Sequence, residues 1–133
     1  GAQADFNKAY ELGPQFPDLA AYAAAGDIVA GDMAAADKVL TDAFGTTSVD
    51  SDVLSIAYYQ TKNWQRLIRI WKLRADKPGA SVETWFGLAA AYYAAGDKAN
   101  AITSINTAVK LFPDAASAGA AAISQIKGNT VGQ

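Results

Sequence analysis

The sequence contains no cysteine and no histidine. Without cysteine, the chain cannot form a disulfide, a thiolate metal site or a thiol nucleophile. Without histidine, it lacks the side chain that most often serves as a general base and as a metal ligand. These two absences exclude many hydrolytic and metal-dependent mechanisms before any motif is considered.

Motifs that hold phosphate or calcium are also missing. Gly26 and Gly31 are spaced like the glycines of a phosphate loop, but the Lys-Ser/Thr pair that completes such a loop does not follow them. Acid pairs such as Asp50 and Asp52 lack the alternating ligand run of a calcium loop and suit turns and helix caps. We therefore predict a protein that is not an enzyme, with no catalytic residues, no metal and no cofactor.

Long apolar runs are absent as well. No stretch reaches the roughly 18 apolar residues of a membrane span, and no signal peptide is visible in these 133 residues. Alanine is abundant and β-branched residues are few, which favours helix. The length suits one domain with a sizeable core.

Residues 82–115 carry the most regular pattern in the chain. The first half has apolar residues at i, i+3, i+4 and i+7, typical of one buried helix face: Trp85, Leu88, Ala89 and Tyr92. Gly96 and Asp97 then indicate a helix end followed by a helix cap. The second half, which ends at Pro113, carries a facing stripe: Ala101, Ile105 and Ala108. The pattern predicts two antiparallel helices.

This spacing resembles the tetratricopeptide repeat (TPR) family, whose unit is a helix–turn–helix of about 34 residues. The resemblance implies an all-α fold: a right-handed superhelical solenoid of antiparallel helix hairpins with a C-terminal capping helix. One repeat cannot bury its own apolar face, so at least three are expected. The family implies a scaffold for protein–protein or peptide binding.

A looser copy of the pattern occupies residues 48–81. Leu54 and Tyr58 take the places of Leu88 and Tyr92, and Lys62-Asn63 replaces the Gly-Asp pair. Because larger residues replace some of the small ones, we expect wider helix spacing here, filled by the Trp71 ring.

A third copy, shortened to residues 17–47, has its turn at Gly31-Asp32. Its second helix carries Ala36, Leu40 and Ala43 on the apolar stripe. A rival register with the turn at Gly26-Asp27 is rejected because it would leave Leu40 off that stripe.

The two ends of the chain complete the predicted array. Residues 1–16 have the spacing of a second helix whose partner is missing, so we expect the C-terminal piece of a longer array, with self-association through this half repeat as one option. Residues 116–128 are predicted to form the capping helix, which Gly128 would end, and 129–133 a frayed tail. The prediction is thus a single domain over 1–128.

Charge is unevenly distributed along the chain. Residues 1–52 hold nine acids and two bases, which gives a net charge of −7, whereas 53–80 hold six bases and one acid, net +5. The basic block at 62–77 contains Trp64 and Trp71, a mixture that nucleic acid or an anionic membrane can use. A solvated convex face, or contact with the acidic region of a neighbouring molecule, would also explain it. Because the whole chain is acidic, we predict no nucleic-acid partner.

The TPR resemblance also implies where a partner would bind. In that family the first helix of each repeat lines the concave groove. Carried over to this sequence, the predicted peptide-binding residues are Asp52, Ile56, Tyr59, Glu83, Phe86 and Tyr93. The same reasoning adds further lining positions from the first copy and the last helix: Asp18, Ala21, Ala25, Ile28, Ser117, Ala120 and Ser124.

The chemistry of these positions favours one class of partner. TPR domains that clamp acidic C-terminal peptides place Lys, Arg and Asn in the groove, and none stands at the corresponding positions here. With aromatic rings edged by Asp52 and Glu83, we expect an apolar or basic protein segment.

A second resemblance leaves an alternative open. Two short motifs, at 67–74 and 122–128, look like the C-terminal TPR tails of bacterial membrane proteins of the O-antigen ligase type. That resemblance implies a structural or oligomerising accessory module of a larger, glycan-handling protein, with membrane contact only through the parent. The compartment is therefore left open between the cytoplasm and attachment to a bacterial membrane protein.

Overall fold

A computed structural model describes residues 17–131, with side chains from 18 to 128. Over this range the chain is helical apart from turns and contains no strand: α1 (Pro17–Val29), α2 (Met33–Phe44), α3 (Asp52–Gln60), α4 (Trp64–Asp76), α5 (Val82–Ala94), α6 (Lys98–Leu111), a 3₁₀ turn (Pro113–Ala115) and α7 (Ala116–Val131). The predicted all-α class of helical hairpins is confirmed. The predicted half repeat at 1–16 lies outside the described residues.

Two compact units divide the chain between Ile70 and Trp71, a boundary that falls inside α4. In the first unit, α1 packs against α2 and α3. In the second, α6 packs against both α5 and α7.

One turn geometry recurs three times between paired helices. Gly31, Lys62 and Gly96 each adopt a left-handed backbone conformation, with φ of 85°, 60° and 84°. The amide after each of them donates to a carbonyl five residues earlier, at 2.8–2.9 Å, as in Asp32 to Asp27. This pattern satisfies the last carbonyls of the first helix and reverses the chain. The turns coincide with the Gly-Asp and Lys-Asn pairs of the sequence, so α1 runs through Gly26 without a break.

Side-chain caps fix where several helices begin. The carboxylates of Asp32 and Asp97 accept from amides three residues on, at 3.1 Å, at the starts of α2 and α6. The hydroxyls of Ser51 and Ser81 do the same for α3 and α5, at 3.3 and 3.2 Å. Each cap satisfies one amide that the helix itself leaves open, so these short polar residues define the hairpins.

Small residues allow close packing in the first unit. Ala20, Ala23 and Ala24 on α1 are completely buried, so neighbouring helices can approach this helix closely. Larger buried side chains fill the remaining space: Ile28, Leu40, Leu54 and Tyr58. Ala43, expected on the buried stripe, is exposed, because α2 buries Ala36, Val39 and Leu40 and turns its last residues outward.

A bidentate ion pair joins α2 to the start of α4. The two guanidinium nitrogens of Arg66 donate to the two carboxylate oxygens of Asp37 at 2.7 and 2.9 Å. Both side chains keep between a quarter and a third of their surface exposed. One member of the basic block is therefore engaged within its own chain.

An aromatic contact joins α4 to α5 in the second unit. A Cβ atom placed on Gly87 would lie 2.5–2.7 Å from three ring atoms of Trp71, so only glycine leaves room for the ring. The guanidinium carbon of Arg74 lies 4.7 Å from the centroid of the same ring, a cation–π distance. The Trp71 ring thus fills space between helices, and Gly87 provides part of that space.

Small and branched aliphatic residues form a buried cluster in the second unit: Ala89, Ala101, Ile105 and Ile126. Leu88 on α5 is buried as well, as the sequence predicts. Trp85, expected in the core, is only half-buried.

The last helix, α7, approaches α6 closely at Gly119. A Cβ there would overlap with Val109 Cγ2, so the two helices meet at this glycine. Gly128 does not end α7 as predicted, because the helix continues to Val131.

Candidate peptide-binding surfaces

The exposed face of α3 carries large apolar side chains. Ile56 and Tyr59 keep 55% and 60% of their surface exposed, although Leu54 and Tyr58 on the same helix are buried. The Tyr59 ring meets the Trp64 ring edge to face, with centroids 5.6 Å apart. Asp52 is exposed in the first turn of this helix. Three of the six predicted binding residues are therefore accessible on one helix.

Two neighbouring cavities lie along α1 and α3 in the first unit. One, of about 470 Å³, involves the first turns of both helices and the loop before α3: Asp18, Ala21, Tyr22, Phe44, Val49, Asp50, Ser51, Asp52 and Val53. The other, of about 200 Å³, lies further along both helices: Ala25, Val29, Val53, Ile56, Ala57 and Gln60. Because early residues of both helices line the first cavity and later residues line the second, α1 and α3 run parallel. Val53 borders both cavities, so they are direct neighbours, and together they are called here the α1–α3 groove.

The second unit has an apolar cavity of its own, about 210 Å³ in volume. Side chains from α5, α6 and α7 line it: Phe86, Ala89, Ala90, Tyr93, Ile105, Ala122, Gln125 and Ile126. Phe86 and Tyr93 are half-buried, so each exposes part of its ring at this cavity. Glu83, one turn before Phe86, is exposed and does not line it.

Three of the four additional groove positions on α1 border the cavities: Asp18, Ala21 and Ala25. Ile28 does not, because it is only 1% exposed and packs in the core. Tyr22 and Val29, which the sequence reasoning did not select, also line the cavities.

On α7, the residues that face the second-unit cavity are Ala122, Gln125 and Ile126. Ser117, Ala120 and Ser124, which the sequence reasoning selected, are exposed but do not line it. The sequence signal for the correct face was the apolar pair at 122 and 126, one helical turn apart.

The ion pair on α2 alters the electrostatics next to α3. The hydrogen bonds from Arg66 hold the pKa of Asp37 below its usual value. Burial raises the pKa of Tyr58, against the opposing effect of the nearby Arg66 guanidinium. The lowered pKa of Asp37 means that its bond to Arg66 stabilises the folded first unit at neutral pH, whereas the raised pKa of Tyr58 keeps its hydroxyl neutral there. Neither group lines either of the two cavities along α1 and α3.

Among the described residues, no three carboxylates lie close enough together to hold a metal ion. In the same part of the chain, no helix combines the length and apolar character needed to cross a bilayer.

Comparison with known proteins identifies one repeat directly. Residues 82–115 match the family model described as tetratricopeptide repeat, and they comprise α5, its turn, α6 and the 3₁₀ turn. No curated protein and no solved structure matches the chain. The match supports a general protein-interaction role, because TPR domains bind proteins or peptides. The resemblance to O-antigen ligase tails rests on its two short motifs alone.

Proposed function

We propose that this chain is a non-catalytic scaffold that binds protein or peptide segments at two surfaces, one on α1 and α3 in the first unit and one on α5 in the second unit. The observation that carries the proposal is the exposure of Ile56 and Tyr59. Both are more than half exposed on a helix whose other face is buried. Grouped exposed apolar side chains on a soluble surface mark interaction sites.

The second unit supports the proposal independently. Phe86 and Tyr93 border an apolar cavity large enough for a single aliphatic or aromatic side chain. An aromatic wall with a hydroxyl end suits a peptide, because the ring contributes area and the hydroxyl can bond to the peptide backbone. An exposed acid lies on each of the two helices that carry the aromatic side chains, Asp52 on α3 and Glu83 on α5. These negative charges favour a partner that is apolar or basic.

A randomised decapeptide display library, selected on the whole chain, tests this function. Binding of the selected peptides is then measured by calorimetry for four variants: Ile56→Glu, Phe86→Glu, Tyr93→Glu and Leu111→Glu. Leu111 is the matched control, because it is 55% exposed but lies at the end of α6, outside the proposed surfaces.

We expect at least one of the first three changes to weaken each peptide about tenfold or more, since a desolvated apolar contact becomes a buried charge. Leu111→Glu should leave the affinity within about twofold. Equal losses in all four variants, or no enriched peptide at all, would contradict the proposal.

A further inference from the structure

The α1–α3 groove has two chemically different ends. At one end three carboxylates border the larger cavity, from Asp18, Asp50 and Asp52. At the other end the smaller cavity is lined by Ala25, Val29, Val53, Ile56, Ala57 and Gln60, without a charged residue. Val29 and Ile56 are both more than half exposed there. A ligand lying in the groove would therefore meet charge at one end and apolar surface at the other.

Helix N-termini offset part of the carboxylate charge at the acidic end. Asp18 and Asp52 lie in the first turns of α1 and α3, where each helix N-terminus contributes about half a positive charge. Two such termini offset roughly one of the three carboxylate charges. The described residues nearby are also mainly acidic, because 17–52 hold seven acids and one base.

An organic cation fits this end better than a metal ion. No group of three acids in the described residues is close enough to coordinate a metal. Tyr22 and Phe44 also line the cavity, and Tyr22 is 45% exposed. Aromatic rings beside carboxylates suit the charged head and the aliphatic stem of Lys or Arg, because the stem packs on the rings while the head reaches the acids.

The length of the groove sets the spacing of the ligand. Asp18 and Val29 are eleven residues apart on α1, which is about 16 Å along the helix. An extended peptide covers that distance in roughly five residues.

Resting on the proposed function, we infer that the α1–α3 groove binds a peptide segment in one orientation. A Lys or Arg of the segment lies at the Asp18–Asp52 end, and an aliphatic side chain four or five residues away enters the cavity beside Val29 and Ile56. The partner is thus a basic–apolar segment, and the acid positions define its direction.

The test uses the decapeptides selected on the whole chain, with two groove variants and one control variant. The double change Asp18→Asn plus Asp52→Asn removes charge at one end, and Val29→Glu blocks the other. Asp76→Asn is the matched control, because it removes an exposed acid at the end of α4, outside the groove. Circular dichroism and thermal midpoints within about 3 °C of the parent show that each variant is folded.

The expected result is a family of peptides with Lys or Arg four or five residues from Leu, Ile or Val. The double change and Val29→Glu should each weaken these peptides about tenfold, while Asp76→Asn should change affinity by less than about twofold. Raising salt from about 0.05 to 0.5 M should weaken binding to the parent chain, which tests the charge contact even if the double variant does not fold.

Three results would overturn the inference, and they differ in what they say about the proposed function. Peptides that bind without basic residues, or that ignore the groove variants while responding to Phe86→Glu, would overturn the inference and leave the scaffold function standing. The absence of any selected peptide would overturn both.

Discussion

Replacing Gly87 by alanine tests the packing between α4 and α5. The new Cβ atom would lie 2.5 Å from Trp71 Cζ3 and 2.7 Å from Cε3 and Cη2. Ordinary carbon contacts lie about 1 Å further apart, so the ring or the helix must move. The Trp71 ring is rigid and also contacts the Arg74 guanidinium, which limits cheap relaxation.

The size of the effect follows from two opposing contributions. Overpacking of this kind costs about 1–3 kcal/mol. Replacing glycine by alanine inside a helix stabilises the helix by about 0.5–1 kcal/mol, because alanine has the higher helix propensity. We therefore expect Gly87→Ala to lower the free energy of unfolding by roughly 0.5–2 kcal/mol, measured by urea denaturation with an unchanged m-value.

Gly128→Ala is the matched control. This glycine is also helical, but nothing lies within 4 Å of a Cβ placed on it, so the change should be neutral or slightly stabilising. In a Trp71→Ala background, where the clash is gone, Gly87→Ala should also become neutral or stabilising. A stabilising effect of Gly87→Ala in the parent chain would refute the packing argument.

Three further predictions concern stability. Lys62→Gly should stabilise the chain by about 0.5–1 kcal/mol, because Lys62 adopts the left-handed conformation that glycine adopts at 31 and 96. Gly96→Ala should destabilise the chain by a similar amount. Thermal unfolding of both variants beside the parent chain measures the two effects. Asp37→Asn should cost roughly 1 kcal/mol at neutral pH, a modest figure because the pair with Arg66 is partly exposed. The pKa of Asp37 is lower in the folded state than in the unfolded state, so its contribution to stability is present above the unfolded pKa and is lost as pH falls through the folded pKa. The unfolding free energies of the parent and of Asp37→Asn should therefore converge in acid. A difference between them that stays constant down to about pH 2 would contradict this. Trp85→Ala should cost about 1–3 kcal/mol, below the range for a fully buried tryptophan, because Trp85 is half-buried; a loss above about 4 kcal/mol in urea denaturation would show that its burial is greater than described.

Local signals in the sequence predicted the hairpins well. The Gly-Asp pairs at 31–32 and 96–97 combine a residue suited to positive φ with a helix cap, and both turns fall there. The Lys62-Asn63 turn has the same geometry although lysine has no special preference for it. The turn was predicted only because this copy aligns with the other two. Lysine adopts the left-handed conformation here because tertiary packing outweighs its local conformational cost.

The surfaces were harder to predict because alanine does not distinguish a core position from an exposed one. Ala21 and Ala25 are buried, whereas Ala43 and Ala120 are exposed, and nothing in their types separates them. Phe86 and Tyr93 line a cavity, and their role in binding stays a prediction, but the contribution of Ala122 and Ile126 to that cavity depends on how α7 packs on α6. Such packing involves residues far apart in sequence, which helical periodicity cannot specify.

The most direct test of the scaffold function is a chemical-shift map. A uniformly labelled chain is titrated with a selected decapeptide, and the amide signals that move are assigned. A peptide bound in the first unit predicts perturbations concentrated in 18–29 and 52–60, and one bound in the second unit predicts them in 83–93. In either case the amides of α2, α4 and the outer part of α6 should be nearly unchanged. Perturbations concentrated on α2, α4 and α6 instead would contradict the account, because the partner would then occupy the second helices of the hairpins.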